Sequence, residues 1–349
     1  MFELNKERFY EEFTGLLSVD STTGQYRAIT AYLKERLAEI GYSCREMVQG
    51  GVVVPLGGEG HPMVLASHVD DIGAIVRHIK TDGTIRMVKV GGLHGYHAER
   101  ENVRVHTSEG KVYSGTIQRA QASVHVTQDD IQKQEADFDK NLVVVLDEDV
   151  RSAEDVRALG IEVGDFIAID PRPQFAGGYV KSRFVDDKAM SALQLCLLRE
   201  LKEKNIPLSR RVYSVFTMYE ELGHGMNRLP EDVEEFLAVD IGCIGPEQTS
   251  DEKKVSIFCM DSRFPYHQGV IDGLVEAAKA SGAAYVKDIF TPHYGSDGDT
   301  AVMAGNDIRH GAIGPGTLAT HGYERTHIDG LENTYRLMAE YITGAHYIY

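Results

Sequence analysis

Tryptophan is absent from the 349 residues, and cysteine occurs only four times, as Cys44, Cys196, Cys243 and Cys259. No two of them form a CxxC pair and their spacings are irregular, so neither a disulfide frame nor a zinc knuckle is expected. They read as small buried hydrophobes of a reducing compartment. No apolar run approaches the ~20 residues that span a bilayer, and the opening Met-Phe-Glu-Leu-Asn-Lys lacks the apolar core of a signal peptide. The expectation is a cytoplasmic protein with no membrane partner. Basic residues are also scarce, with Lys+Arg 36 against Asp+Glu 53 and a net charge of -17. No surplus exists to neutralise phosphates, which argues against nucleic acid as a partner. There is no internal repeat and no low-complexity tract.

What the chain does have is a set of apolar strands that end in carboxylates. The stretch Tyr213-Ser214-Val215-Phe216-Thr217-Met218-Tyr219-Glu220-Glu221-Leu222-Gly223-His224-Gly225 runs from a β-branched strand into two adjacent acids and two glycines. Carboxylates are rarely buried unpaired, and in α/β sheets ligands bind beyond the carboxyl ends of strands. One glutamate can therefore hold a metal while the other addresses a water. Met63 to Gly73 repeats the pattern, an apolar strand ending in His68-Val69-Asp70-Asp71. Alternation puts His68 and Asp70 on one side. Neutral imidazole is a common zinc ligand, and a nearby carboxylate can accept its other ring N–H and fix the tautomer. A third strand, residues 236–242, ends in Asp240 and a glycine. Asp186 and Asp187 precede a helix running to about Lys204, where they either cap it or face a metal.

Helical periodicity marks residues 3–18, 26–40 (closed by Gly41), 268–280 and 329–346. Tyr294-Gly295-Ser296-Asp297 reads as a turn that opens another short helix, and residues 255–261 and 309–313 read as strands. Between Ile75 and Asp170 the texture changes to short strands, at 85–90, 103–107, 112–117, 142–146 and 166–169, separated by Gly, Asp and Ser, with one helix at 152–159. That is an all-β signature. The histidines inside it, His94, His97, His106 and His125, pair with no carboxylate at ligand spacing. The expected architecture is α/β, a mixed and mostly parallel sheet sandwiched by helices over residues 1–73 and 171–349, with a small all-β barrel inserted over 74–170.

Collected at the strand ends are His68, Asp70, Asp186, Glu220, Glu221, Asp240 and His321. Two imidazoles and several carboxylates suit a pair of borderline divalent ions with one carboxylate bridging. A carboxylate that is not a ligand is then needed to move the proton. The order His-x-Asp, β insert, Asp-Asp-Lys, Glu-Glu-x-Gly, Val-Asp and a late His resembles the co-catalytic metallo-aminopeptidases. That family comprises the glutamyl, deblocking and tetrahedral aminopeptidases, some of whose members carry an endoglucanase label. The resemblance runs from about Leu17 to the last helix and rests on "ASHVDDIGAIV", "HTSEGKVYSGTI", "IEVGDFIAIDPR", "GGYVKSRFVDDKAMSA", "FTMYEELGHGM", "LAVDIG" and "YGSDGDTAVM".

The resemblance implies two divalent metals, zinc foremost, with cobalt or manganese also suited. It places His68 and Glu221 on different metals, Asp186 as the bridge, Asp240 and His321 completing the two sites, Glu220 as general base and acid, and Asp70 orienting His68. Glu324 and His327 stand close to His321 as alternatives for the last ligand. The β insert is expected to cover the cleft and make subunit contacts in a homo-oligomer, dimer-based and up to a dodecamer. Tyr219, Asp71 and Lys188 depart from the family's usual Gln, Glu and Arg. The implied activity is hydrolysis of N-terminal residues from peptides or small amides. The alternative is a related metallohydrolase acting on a small acylated amino acid, a dipeptide-like solute or a sugar.

Overall fold

The computed structural model describes residues 2–230 and 232–347. The chain forms two compact units. The larger contains the chain up to Asp70, Arg172–Thr320 and the chain from Glu324 onward. The smaller contains Asp71–Pro171 and His321–Tyr323.

The larger unit is built on a mixed sheet. Its strands lie in the order Arg45–Glu46, Val52–Gly57, Val212–Thr217, Met63–His68, Glu235–Val239, Arg309–Thr317, Val255–Met260 and Tyr285–Ile289, with Gly242–Cys243 beside Arg309–Thr317. The central strands Val212–Thr217, Met63–His68, Glu235–Val239 and Arg309–Thr317 are mutually parallel. Every residue of Met63–His68 is buried, as expected of a parallel strand covered on both faces. The 19-residue helix Val185–Glu203 packs against Met63–His68, and the helix Ile328–Thr343 packs against Arg309–Thr317. In the latter helix Leu331, Thr334, Tyr335, Leu337, Met338, Tyr341 and Ile342 are buried, the 3.6-residue stripe that a half-covered helix requires. A histidine caps its start, where His327 Nδ1 accepts the Asp329 N–H at 3.1 Å.

The smaller unit is a closed antiparallel barrel in the order Gly73–Ile79, Ile85–Val90, Leu142–Leu146, Val112–Arg119, Asn102–His106 and Phe166–Ile169. Its first strand was not expected from the sequence. A register shift between Val76 and His78 breaks the inside–outside alternation there, and a bulge erases the period of two by which a strand is read. Among the other strands without a legible period, two have a different reason. Tyr285–Ile289 is an edge strand carrying Lys287 and Asp288, as edges often do. Glu324–His327 is wholly polar and pairs with Tyr179–Ser182.

Candidate metal centre

Three adjacent parallel strands end at one rim. Thr217 pairs with His68 across the sheet, and Ala238 pairs with Ala66 on the other side. The shared direction delivers the Glu220–Leu222 turn, His68 and Asp240 to the same edge, the carboxyl edge at which α/β sheets bind ligands. A fourth group comes from the helix Val185–Glu203, whose Asp186 and Asp187 keep non-helical backbone angles. The Asp186 N–H, in the first turn where no intrahelical acceptor exists, donates to Glu324 Oε2 at 3.0 Å.

His68 is buried, and its Nδ1 lies 3.0 Å from the main-chain carbonyl of Asp70. An Nδ1–H donating to that carbonyl leaves the ring lone pair on Nε2, the tautomer a ligand needs. Nε2 sits 3.0 Å from Asp186 Oδ1 and 3.7 Å from Glu220 Oε2. The Asp70 carboxylate lies further off, its Oδ1 3.6 Å from Nδ1. It accepts instead the N–H groups of Glu220 at 3.2 Å and Glu221 at 3.4 Å. Asp70 thus touches the imidazole mainly through its backbone, and its side chain holds the turn that bears both glutamates.

Two sets of donor atoms cluster within 4.8 Å of one another: His68, Asp186 and Glu221, and Asp186, Asp187 and Asp240. Asp186 belongs to both. Asp187, expected either to cap the helix or to support the metal site, is fully buried and accepts the His68 N–H on Oδ2 at 3.0 Å. Neither set includes His321. That residue falls with the smaller unit, has φ of 60°, and places Nδ1 3.3 Å from the Gly92 carbonyl. Of its two neighbours, Glu324 is engaged with the Asp186 N–H and His327 with the cap of the last helix. Asp297, a turn residue in the sequence, is buried and accepts a hydrogen bond from Thr217 Oγ1.

The electrostatics set this rim apart. Asp70, Asp186, Asp187, Asp240 and Asp297 are all buried, and Glu220 keeps only 12% of its side chain exposed. One imidazole stands among them. Burial, then repulsion from neighbouring carboxylates, pushes the Glu220 and Glu221 carboxyls well above the usual range. The same two causes, with Asp186 the main repelling neighbour, raise Asp240 to about 7. Burial alone would lower His68, but Asp186, Glu220, Asp187 and Asp70 together hold its imidazolium well above the ordinary histidine value. So many buried acids about one base form a stable arrangement when cations are bound or protons are shared. Carboxylate oxygens plus an imidazole nitrogen are the donor chemistry of zinc, manganese and cobalt sites, so the residues present fit a divalent metal.

An α/β sheet that gathers histidine and carboxylates at parallel strand ends, joined to a closed β-barrel, defines a two-unit hydrolase of the metallopeptidase kind. A family model described as M42 glutamyl aminopeptidase matches residues 50–337, and the chain belongs to that family. Its members' activity makes this protein a peptidase, an aminopeptidase. YhfE of Bacillus subtilis (strain 168), whose name is that of an aminopeptidase, is 39% identical over 331 residues, which is 94% of this chain and 95% of the relative. The fold matches that of a TET aminopeptidase from the marine sediment archaeon Thaumarchaeota archaeon SCGC AB-539-E09, with a TM-score of 0.86 at 19% identity, covering 97% of each chain. It also matches the Pyrococcus horikoshii TET1 peptidase, with a TM-score of 0.84 at 20% identity, covering 96% of this chain and 99% of the other. That protein is described as able to assemble into a tetrahedron or a large octahedral shell.

Proposed function

We propose that the protein removes N-terminal residues from peptides at a dinuclear metal centre, with Glu220 as the general base. The observation that carries this reading is the membership of Asp186 in both donor clusters, the placement a bridging carboxylate requires. His68 and Glu221 share one cluster with it, and Asp187 and Asp240 share the other. Two divalent ions, zinc before cobalt or manganese, would supply Lewis acidity to the scissile carbonyl and a water acidic enough to ionise near neutral pH.

The chain's own residues do the rest. Asp70 fixes the Glu220–Glu221 backbone through two N–H bonds. The Asp70 carbonyl fixes the His68 ring. Glu220, its carboxyl pushed up by burial and by neighbouring acids, is suited to take a proton from water and return it to the departing amine near neutral pH. Substitution Glu220→Gln should lower kcat by about 10²–10⁴-fold, the range for loss of a general base, while metal content and melting temperature stay near wild type. Retained turnover with metal confirmed would remove Glu220 from this role.

Arg263 bears on the residue removed. It is exposed and lays its guanidinium across Gly223 and Gly295, where a Cβ on either glycine would meet it at 3.0 Å. Gly223 is two residues from Glu221. Among the described residues no carboxylate forms an ion pair with Arg263, so its charge suits an acidic side chain at the first substrate position. Arg263→Ala should raise KM for glutamyl and aspartyl amides by about tenfold, the worth of one charge-assisted hydrogen bond, and leave leucyl amides unchanged. Equal effects on both classes would reject this pocket. Turnover of N-acyl amino acids but of no free-amine substrate would instead favour the related-hydrolase alternative.

A homo-oligomer is the assembly we assign, by analogy with the shells formed by the TET1 peptidase, and a cytoplasmic location accords with four free cysteines. Among the described residues no helix is long and apolar enough to cross a membrane.

A further inference from the structure

Asp70 is held from a part of the chain far away in sequence. Its carboxylate is fully buried and has several donors. Glu220 N–H reaches Oδ1 at 3.2 Å and Glu221 N–H reaches Oδ2 at 3.4 Å, both long bonds. The short one, 2.7 Å to Oδ2, comes from the hydroxyl of Thr23. Two residues earlier, Ser21 Oγ donates to the Val69 carbonyl at 2.6 Å. Ser21, Thr22 and Thr23 are all buried, and they lie in the connection between the helices Lys6–Leu17 and Arg27–Ile40. This connection grips the exit of the Met63–His68 strand at two successive residues. The grip by Thr23 reaches the carboxylate on which the glutamate turn hangs.

We propose that Thr23 is a positioning residue, whose hydroxyl fixes the rotation of the Asp70 carboxylate and through it the placement of Glu220 and Glu221. The terminal torsion of an aspartate is broad, so two long backbone bonds alone leave its plane free to turn. A short bond from a buried hydroxyl removes that freedom. The turn it supports has reason to relax when released, because it is entered through Tyr219 at φ of 68°, a left-handed conformation uncommon for a tyrosine. The kinetic consequence rests on the proposed role of Glu220; the backbone consequence does not.

The test compares Thr23→Val, Thr23→Ser and Ser21→Ala in the full-length, metal-loaded protein. Hydrogen–deuterium exchange of peptides spanning 218–223 should show protection falling by about tenfold or more in Thr23→Val, the scale of one hydrogen bond to a charged group. Thr23→Ser should restore it. Ser21→Ala should show no selective loss there, since it releases the Val69 carbonyl and leaves the Thr23–Asp70 bond in place. In parallel, kcat in Thr23→Val should drop by about tenfold with KM within about twofold of wild type. If Thr23→Val does not accumulate folded, Thr23→Ala carries the same comparison. Unchanged protection at 218–223, or a loss no larger than in Ser21→Ala, overturns the inference. Selective loss of protection in a protein whose wild type cleaves no free-amine substrate upholds the role of Thr23 and sinks the aminopeptidase mechanism instead.

Discussion

The strand Glu235–Val239 has a buried acid at each end, and the two are treated in opposite ways. At its amino end Glu235 is 3% exposed and meets the buried Arg210 at 2.8 Å, with the Tyr341 hydroxyl donating at 2.9 Å. The Arg210 guanidinium in turn lies 4.7 Å from the Tyr341 ring. Past its carboxyl end Asp240 is 5% exposed and receives the Ile241 N–H at 2.7 Å, but its main charged neighbour is Asp186, another acid, offset only in part by His68. The chain thus satisfies a buried carboxylate with a built-in cation where only the fold is at stake. At the other end one imidazole, His68, is shared among Asp186, Asp187, Asp240, Glu220 and Glu221, so the acids outnumber the built-in cation. A buried charge lacking a partner is costly, so the contrast locates the site more sharply than any count of acids.

The comparison can be broken from its structural end first. Arg210→Ala should destabilise the protein by about 2–3 kcal/mol, because it leaves the buried Glu235 with only the more distant Arg309, its Nε 3.9 Å away, as cation. Denaturant midpoints would show it, and kcat at saturating metal should stay near wild type in whatever fraction folds. A loss of activity without loss of stability would mean the two ends are not independent.

A smaller effect sharpens the other end. Asp240, at about 7, and Glu220 and Glu221 all bind protons more tightly in the folded chain than carboxyls do when unfolded, and His68 shares the direction. Each contributes stability that is fully present below the unfolded pKa, about 4 for the acids, and is lost as pH rises through the folded value. Metal-free protein should therefore melt at a lower temperature at pH 8 than at pH 5. Added zinc should abolish most of that slope, since a bound cation favours the ionised acids. A metal-free melting temperature that climbs between pH 5 and pH 8 would contradict the assigned charge imbalance.

Much of this was legible in the sequence, for a physical reason. A central parallel strand is an unbroken apolar run, so a terminal His68 or Asp240 stands out against it, and Gly223 and Gly242 mark where each run stops. The barrel was legible because its strands are short and punctuated. What could not be read were contacts made by turns on residues distant in the chain. Thr23 reaching Asp70, Glu324 reaching the Asp186 N–H and Asp187 reaching the His68 N–H depend on how loops fold back, and no local period encodes that. For Asp187 the sequence leaves a helix cap and a place beside the metal ligands both open, because acids at helix starts are often caps. Its non-helical backbone turns it to the strand end instead. The strand Gly73–Ile79 was hidden by its bulge, and Glu324–His327 by its polarity.

We propose that the acids of this rim, gathered about the single imidazole of His68, take two cations from solution, with Asp186 common to both. Anomalous diffraction from crystals grown with zinc, recorded at the zinc edge, tests it most directly. The account predicts two peaks in contact with Asp186, one also touching His68 or Glu221 and the other touching Asp240. A single peak that leaves Asp240 without a metal, or peaks away from Asp186 altogether, would contradict it.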